Sequence, residues 1–100
     1  MGFIRKLFGL GPKVNYKELV ANGAAILDVR TEGEFEAGHP TGAINIPVDE
    51  LHKFMPQVLK LGSPLVVCCK SGVRASRALS MIKKAGVKEV YNAGGWKSLK

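Results

Sequence analysis

The sequence predicts an α/β domain with an open, mainly parallel, five-stranded sheet that is flanked by helices on both faces. Two observations favour this class. Short apolar runs of strand length recur along the chain, and segments with helical spacing of apolar residues separate them. The chain has 100 residues, 46% of them hydrophobic and 23% charged, which is typical of one small globular domain and excludes a disordered or fibrous chain.

The N-terminus is predicted to form a short amphipathic segment, residues 1–12, ahead of a single domain over residues 13–100. Four apolar residues recur in it at helical spacing: Phe3, Ile4, Leu7 and Phe8. It lacks the uninterrupted apolar core and the small-residue cleavage site of a secretory signal. No stretch of the chain approaches the ~20 apolar residues of a membrane span, so we expect no stable membrane insertion.

Helical and extended segments alternate through the first part of the domain. In chain order they are a helix over Tyr16–Ala21, a strand over Ala24–Val29, a helical turn over Glu32–Ala37, a strand over Ala43–Pro47 and a helix over Val48–Leu61. Asn15 and Thr31 stand at N-cap positions of the first two helices. Pro56 is expected to kink or split the third.

The second part of the domain contains the most hydrophobic strand, Pro64–Cys68. A polar loop, Cys69–Arg74, leads from it into a helix over Arg74–Ala85. A strand over Glu89–Asn92 and a turn over Ala93–Trp96 follow. The alternation of strands and helices predicts a parallel sheet.

The net charge of +7 lies entirely in residues 70–100, which hold eight basic residues and one acidic residue. Residues 1–69 hold seven of each sign. Such a patch attracts anions, which include nucleic acids, membrane surfaces and small substrates. Because the chain has no aromatic-rich basic platform of the kind that single-strand binders use, we expect no nucleic-acid partner.

The two cysteines, Cys68 and Cys69, are adjacent and cannot connect distant parts of the fold by a disulfide. Their presence without a disulfide framework favours a reducing compartment, and we expect the cytoplasm. Two cysteines with only His39 and His52 as further candidates make a poor zinc site. We therefore expect no metal and no cofactor.

Cys69 is the candidate nucleophile because it ends the most hydrophobic strand directly ahead of a helix, where ligands bind in open α/β sheets. The loop amides from Lys70 onward can point at one centre, and Gly72 permits a backbone angle that a side chain would resist. Together with the charges of Lys70 and Arg74, these amides should lower the pKa of the Cys69 thiol. A thiolate is the nucleophilic form. Cys68 should point back into the packing of the sheet.

Three separate stretches resemble the signatures of the rhodanese sulfurtransferases, in the family's order and over about residues 13–98. They are the loop Cys69–Arg74, the stretch Leu27–Arg30 with Glu34-Phe35, Gly38-His39 and Gly42–Pro47, and the C-terminal Asn92–Trp96. Pro40 stands where the family commonly has an aliphatic residue, and Lys70 where arginine is frequent.

The resemblance implies a persulfide mechanism, in which the Cys69 thiolate takes a sulfur from thiosulfate or a similar small anion. The substrate- and persulfide-binding residues would be Lys70, Ser71, Gly72, Val73 and Arg74. A thiol, cyanide or an acidic sulfur-carrier protein would then accept the sulfur, in a ping-pong reaction. We expect a monomer.

Two alternatives to this enzyme stay open. One is a persulfide carrier or protein-binding module without small-molecule turnover. The other is a phosphatase or arsenate reductase, which uses a cysteine, five residues and an arginine. That spacing holds from Cys68 to Arg74, whereas Cys69 leaves only four residues before Arg74. Because Cys68 should belong to the strand, we expect sulfur chemistry.

Asp28 and Arg30 are candidate supporting residues because they flank a strand end. They could belong to the rim of the site. We favour an ion pair or capping network that fixes the neighbouring loops.

Overall fold

The computed structural model describes residues 14–100, so the amphipathic helix predicted over residues 1–12 lies outside the described residues. Residues 14–100 form four α-helices: α1 (Tyr16–Ala21), α2 (Glu32–Ala37), α3 (Met55–Lys60) and α4 (Val73–Lys84). The same part of the chain forms four strands: β1 (Ala25–Asp28), β2 (Ile44–Asn45), β3 (Leu65–Cys69) and β4 (Val90–Gly95). Two 3₁₀ segments complete the described chain: Val48–Phe54 and Trp96–Leu99.

The strands form one sheet in the order β2-β1-β3-β4, and every neighbouring pair is parallel. The predicted α/β class with a parallel sheet is confirmed. The prediction of five strands is wrong for residues 14–100, because the other apolar segments in this range fold as helices or turns. Since the strands are parallel, their carboxyl ends, including that of β3 at Cys69, lie at the same edge of the sheet.

Alternate residues of the two central strands pack into two separate cores, one on each face of the sheet. Val67 and Cys69 lie in the first core, which also contains Ala75, Ala78 and Ile82 from α4. Val66 and Cys68 lie in the second core, against Leu19 and Val20 of α1. Helices therefore cover both faces, as predicted. The adjacent cysteines face opposite layers.

Two boundaries differ from the predictions for a local physical reason. The helix predicted over Val48–Leu61 is a 3₁₀ segment followed by α3, and Pro56 lies in the first turn of α3, where its missing N–H costs nothing. Strand β4 continues through Gly95 instead of turning after Asn92. A register shift opposite Val67–Cys69 allows it to pair Gly95 with Cys69.

None of the helices within residues 14–100 is both long enough and apolar enough to cross a membrane.

Candidate functional site

The Cys69 side chain is held at the carboxyl end of β3 by the chain that follows it. The residue is 1% exposed. Its Sγ accepts a hydrogen bond from the backbone N–H of Gly72 at 2.9 Å and a second from the N–H of Ala75 at 3.4 Å. The loop after β3 thus folds back over the sulfur, and the first turn of α4 directs donors at it.

These amides decide the ionisation of the thiol. Burial raises the pKa of Cys69, but hydrogen bonds from the backbone outweigh burial, so the pKa lies below the ordinary value of a cysteine. The amides that lower it belong to Ala75, Ser71, Gly72 and Arg74. The sequence predicts an additional effect of the side-chain charges of Lys70 and Arg74, whereas the backbone makes the largest lowering contributions. The site can therefore hold a thiolate without a general base.

Gly72 allows the loop to close. Its φ of +100° lies in the left-handed region, as the sequence predicts, and it is the N-cap of α4. Its carbonyl accepts a hydrogen bond from Asn92 Nδ2 at 2.9 Å, while Asn92 Oδ1 accepts one from the N–H of Gly94 at 2.8 Å. Asn92 on β4 therefore clamps the loop to the neighbouring strand.

Gly95 makes room for the start of the loop. A Cβ at this position would lie 2.9 Å from the carbonyl oxygen of Lys70, closer than a real Cβ approaches backbone. The absence of a side chain thus lets β4 pass directly beside the residue that follows Cys69.

The guanidinium of Arg74 is engaged by Glu34 of α2. Two hydrogen bonds, of 2.6 and 3.1 Å, join Arg74 to the two carboxylate oxygens of Glu34. The pairing with Arg74, assisted by the backbone N–H of Thr31, lowers the pKa of Glu34 to about 2. Both side chains are 33% exposed. The pair ties the first turn of α4 to α2.

Asp28 and Arg30 form a buried ion pair at the end of β1. Arg30 is 4% exposed and Asp28 is fully buried, and the shortest of their contacts is 2.6 Å. The Arg30 guanidinium also donates to the carbonyl of Gly38 at 2.7 Å and lies 4.6 Å from the centroid of the Trp96 ring. The geometry agrees with the expected ion pair that fixes neighbouring loops.

Cys68 is as buried as Cys69, but its pKa is shifted in the opposite direction. It is fully buried, and burial together with the charge of Asp28 raises the pKa of its thiol to about 12. It remains a neutral thiol at physiological pH. The phosphatase spacing counted from Cys68 therefore begins at a thiol whose raised pKa disfavours the nucleophilic thiolate.

The remaining loop side chains point outward. Lys70 and Ser71 are exposed, and Val73 is 75% exposed. Two surface depressions border the loop. One is an open groove beside Ser71 and Val73, and the other is a pocket beside Lys70 and Trp96.

The sequence motifs do not predict two contacts of the site, that of Glu34 with Arg74 and that of Asn92 with Gly72. Glu34 belongs to one of the stretches that resemble the family signatures and to a capping box with Thr31, but neither indicates its contact with Arg74, 40 positions later. Asn92 closes the loop from a strand 20 positions after Gly72. Among residues 14–100, no cluster of three or more His, Cys, Asp or Glu could hold a metal ion.

This chain is similar in sequence and in fold to known proteins. The family model for the rhodanese-like domain matches residues 13–100. The uncharacterized protein YqhL of Bacillus subtilis is 40% identical over 75 residues, which are 74% of this chain and 59% of that protein. This chain thus spans less than two thirds of that relative's length.

Two further relatives have a stated activity or structure. Thiosulfate sulfurtransferase 18 of Arabidopsis thaliana is 37% identical over 92 residues, covering 79% of this chain and 68% of that protein. The solved structure of a rhodanese with anions from E. coli superposes with a TM-score of 0.68 at 29% identity, covering 75% of this chain and 89% of that one.

Proposed function

Because the chain belongs to the rhodanese-like domain family, we propose that it is a sulfurtransferase that moves sulfane sulfur from thiosulfate or a related donor to a thiol or cyanide through a Cys69 persulfide. The observation that carries the proposal is the Cys69 sulfur, buried at the end of β3 with two backbone N–H groups directed at it. This environment favours the thiolate, which is the attacking species.

In the first half-reaction, the Cys69 thiolate attacks the outer sulfur of thiosulfate. A bond forms between the two sulfurs, the S–S bond of thiosulfate breaks, and sulfite leaves with the bonding electron pair. The negative charge then rests on the outer sulfur of the persulfide. The amides that lower the pKa of Cys69 can stabilise this charge as well, since they are already oriented and need no reorganisation.

In the second half-reaction, an acceptor thiolate attacks the outer sulfur of the persulfide. The bond between Cys69 and that sulfur breaks, and Cys69 leaves as a thiolate that is ready for the next donor. No proton has to be taken from the protein at either step. A depressed pKa favours Cys69 both as nucleophile and as leaving group.

The donor is proposed to be a small anion because the excess positive charge begins at Lys70, directly after the nucleophile. A thiol or an acidic sulfur-carrier protein would approach the same mouth.

Intact-protein mass spectrometry after incubation with thiosulfate tests the proposal. We expect a gain of one sulfur atom in the wild type and in Cys68→Ala, and no gain in Cys69→Ala. Cys68→Ala is the matched control, because it removes the neighbouring thiol on the opposite face of the sheet. Thiocyanate formation with cyanide should follow the same order.

Two outcomes would contradict the proposal. Equal loss of sulfur uptake in both variants would remove Cys69 as the sole nucleophile. Sulfur uptake without discharge to any small acceptor, but with discharge to one partner protein, would indicate that the protein is a persulfide carrier and not an enzyme with small-molecule turnover.

A further inference from the structure

A pocket of about 380 Å³ lies beside the Cys69 loop and is not used by the persulfide chemistry described above. Its walls include Lys70 from the loop, Trp96 and Lys97 from the 3₁₀ segment after β4, and Arg30 and Glu34 from the β1–α2 region. We call it the lysine pocket. Its volume is in the range of small-molecule sites.

The charges of the lysine pocket are not balanced. The Arg30 charge is compensated by Asp28, and the Glu34 charge by Arg74. Within residues 14–100, neither Lys70 nor Lys97 has an ion-pair partner. Two cations without an ion-pair partner therefore line this concave surface, and one of them, Lys70, directly follows Cys69 in the chain.

Besides its volume and its positive charges, the lysine pocket has an apolar wall. The Trp96 ring is wedged against Gly38, where a Cβ would lie 3.0 Å from the ring, and the guanidinium of Arg30 covers it at 4.6 Å from the centroid. The ring is thus held in a fixed position. A ligand that suits this pocket combines a negative group with a short hydrocarbon part.

We propose that the lysine pocket binds the carboxylate of a small acceptor thiol and that Lys97 determines a preference for anionic over neutral thiols. This inference rests on the proposed function, because it assigns the acceptor of the same site. Thiosulfate has no hydrocarbon part to contact Trp96, and an acidic protein needs an extended surface instead of a pocket of this volume.

The step itself is the second half-reaction with a carboxylate-bearing acceptor. The acceptor thiolate attacks the outer sulfur of the persulfide, the bond to Cys69 breaks, and the products are the Cys69 thiolate and the acceptor persulfide. Lys97 does not touch the reacting atoms. It holds the carboxylate and so raises the local concentration of the thiolate.

A comparison of two acceptors tests the preference. Protein loaded with persulfide is mixed with 3-mercaptopropionate or with 2-mercaptoethanol, and the discharge rate is measured for the wild type, Lys97→Met and Lys83→Met. Lys83 is an exposed lysine in the last turn of α4 and serves as the control for net charge. We expect Lys97→Met to slow discharge to 3-mercaptopropionate roughly two- to fivefold, the range of an exposed ion pair, and to leave 2-mercaptoethanol unchanged.

A binding measurement tests the affinity of the pocket for the acceptor without any sulfur transfer. Trp96 is the single tryptophan of the chain, so its fluorescence reports on the lysine pocket. Titration of the resting protein with 3-mercaptopropionate should change the emission, with weaker binding in Lys97→Met than in Lys83→Met.

The two measurements separate the two proposals. Failure to form a persulfide would refute the proposed function, while the titration would still decide whether the pocket binds a carboxylate. Equal affinities for 3-mercaptopropionate in the two lysine variants would overturn the proposal that the lysine pocket binds the carboxylate. So would an equal decrease in the discharge rates to both acceptors in Lys97→Met. Discharge to an acidic carrier protein that alone depends on Lys97 would also overturn it, in favour of protein docking.

Discussion

Replacement of Asn92 by alanine should loosen the Cys69 loop without touching the sulfur. The Asn92 side chain makes two hydrogen bonds, one to the carbonyl of Gly72 at 2.9 Å and one from the N–H of Gly94 at 2.8 Å. Gly72 in turn donates its own N–H to Cys69 Sγ at 2.9 Å. Asn92→Ala therefore acts on the thiol through one intermediate residue, Gly72.

The magnitude follows from the bonds that are lost. Each hydrogen bond of this kind contributes about 0.5–1.5 kcal/mol, so the free energy of unfolding should fall by about 1–3 kcal/mol. In a domain of this size, each kcal/mol corresponds to a decrease in Tm of roughly 4–8 °C. Because a less constrained Gly72 N–H stabilises the thiolate less, the pKa of Cys69 should also rise from its depressed value.

The assay is the pH dependence of alkylation by iodoacetamide, measured beside thermal unfolding. Cys68 contributes little, because its pKa of about 12 lies well above the depressed pKa of Cys69. Asn15→Ala is the control, since Asn15 caps α1 by a hydrogen bond to the N–H of Glu18 and lies outside the loop. Both variants should lose stability, but only Asn92→Ala should shift the alkylation profile to higher pH. An unshifted profile in a destabilised Asn92→Ala would refute the coupling between the clamp and the thiol.

Three further predictions concern pH, packing and salt. The pKa of Glu34 is about 2 in the folded protein against an ordinary 4.5. The ionised carboxylate therefore contributes its full stabilisation above pH 4.5, and this contribution disappears as the pH falls to about 2. The difference in the free energy of unfolding between wild type and Glu34→Gln, measured by urea unfolding, should decrease over that pH range. Gly95→Ala should lower Tm because its Cβ would meet the Lys70 carbonyl at 2.9 Å, whereas Gly33→Ala, with open space around it in α2, should raise stability by roughly 0.4–1 kcal/mol. Higher ionic strength should raise KM for thiosulfate more than it lowers kcat, and an unchanged KM would show that the positive charge has another role.

The position of the candidate nucleophile and its contact with the Gly72 amide could be predicted from the sequence because the features that define them are local. A hydrophobic strand, a cysteine at its end and a glycine three positions later determine where Sγ and the Gly72 amide meet. The clamp by Asn92 and the ion pair of Glu34 with Arg74 depend on how β4 and α2 pack against the loop. No spacing within one segment encodes those contacts, because they join residues 20 and 40 positions apart.

The contrast between local sequence features and contacts made by packing also applies to the net charge of +7. The sequence locates the positive residues but not their partners. In residues 14–100 the arginines are paired with carboxylates, whereas among the lysines only Lys53 is, with Glu50. Arg30, Arg74 and Arg77, which are all the arginines of residues 14–100, each pair with a carboxylate. Planar guanidinium groups suit such fixed contacts, whereas lysine is a flexible point charge. We therefore expect Lys70 and Lys97 to attract anions to the proposed site, whereas Arg30 and Arg74 fix the elements that form it.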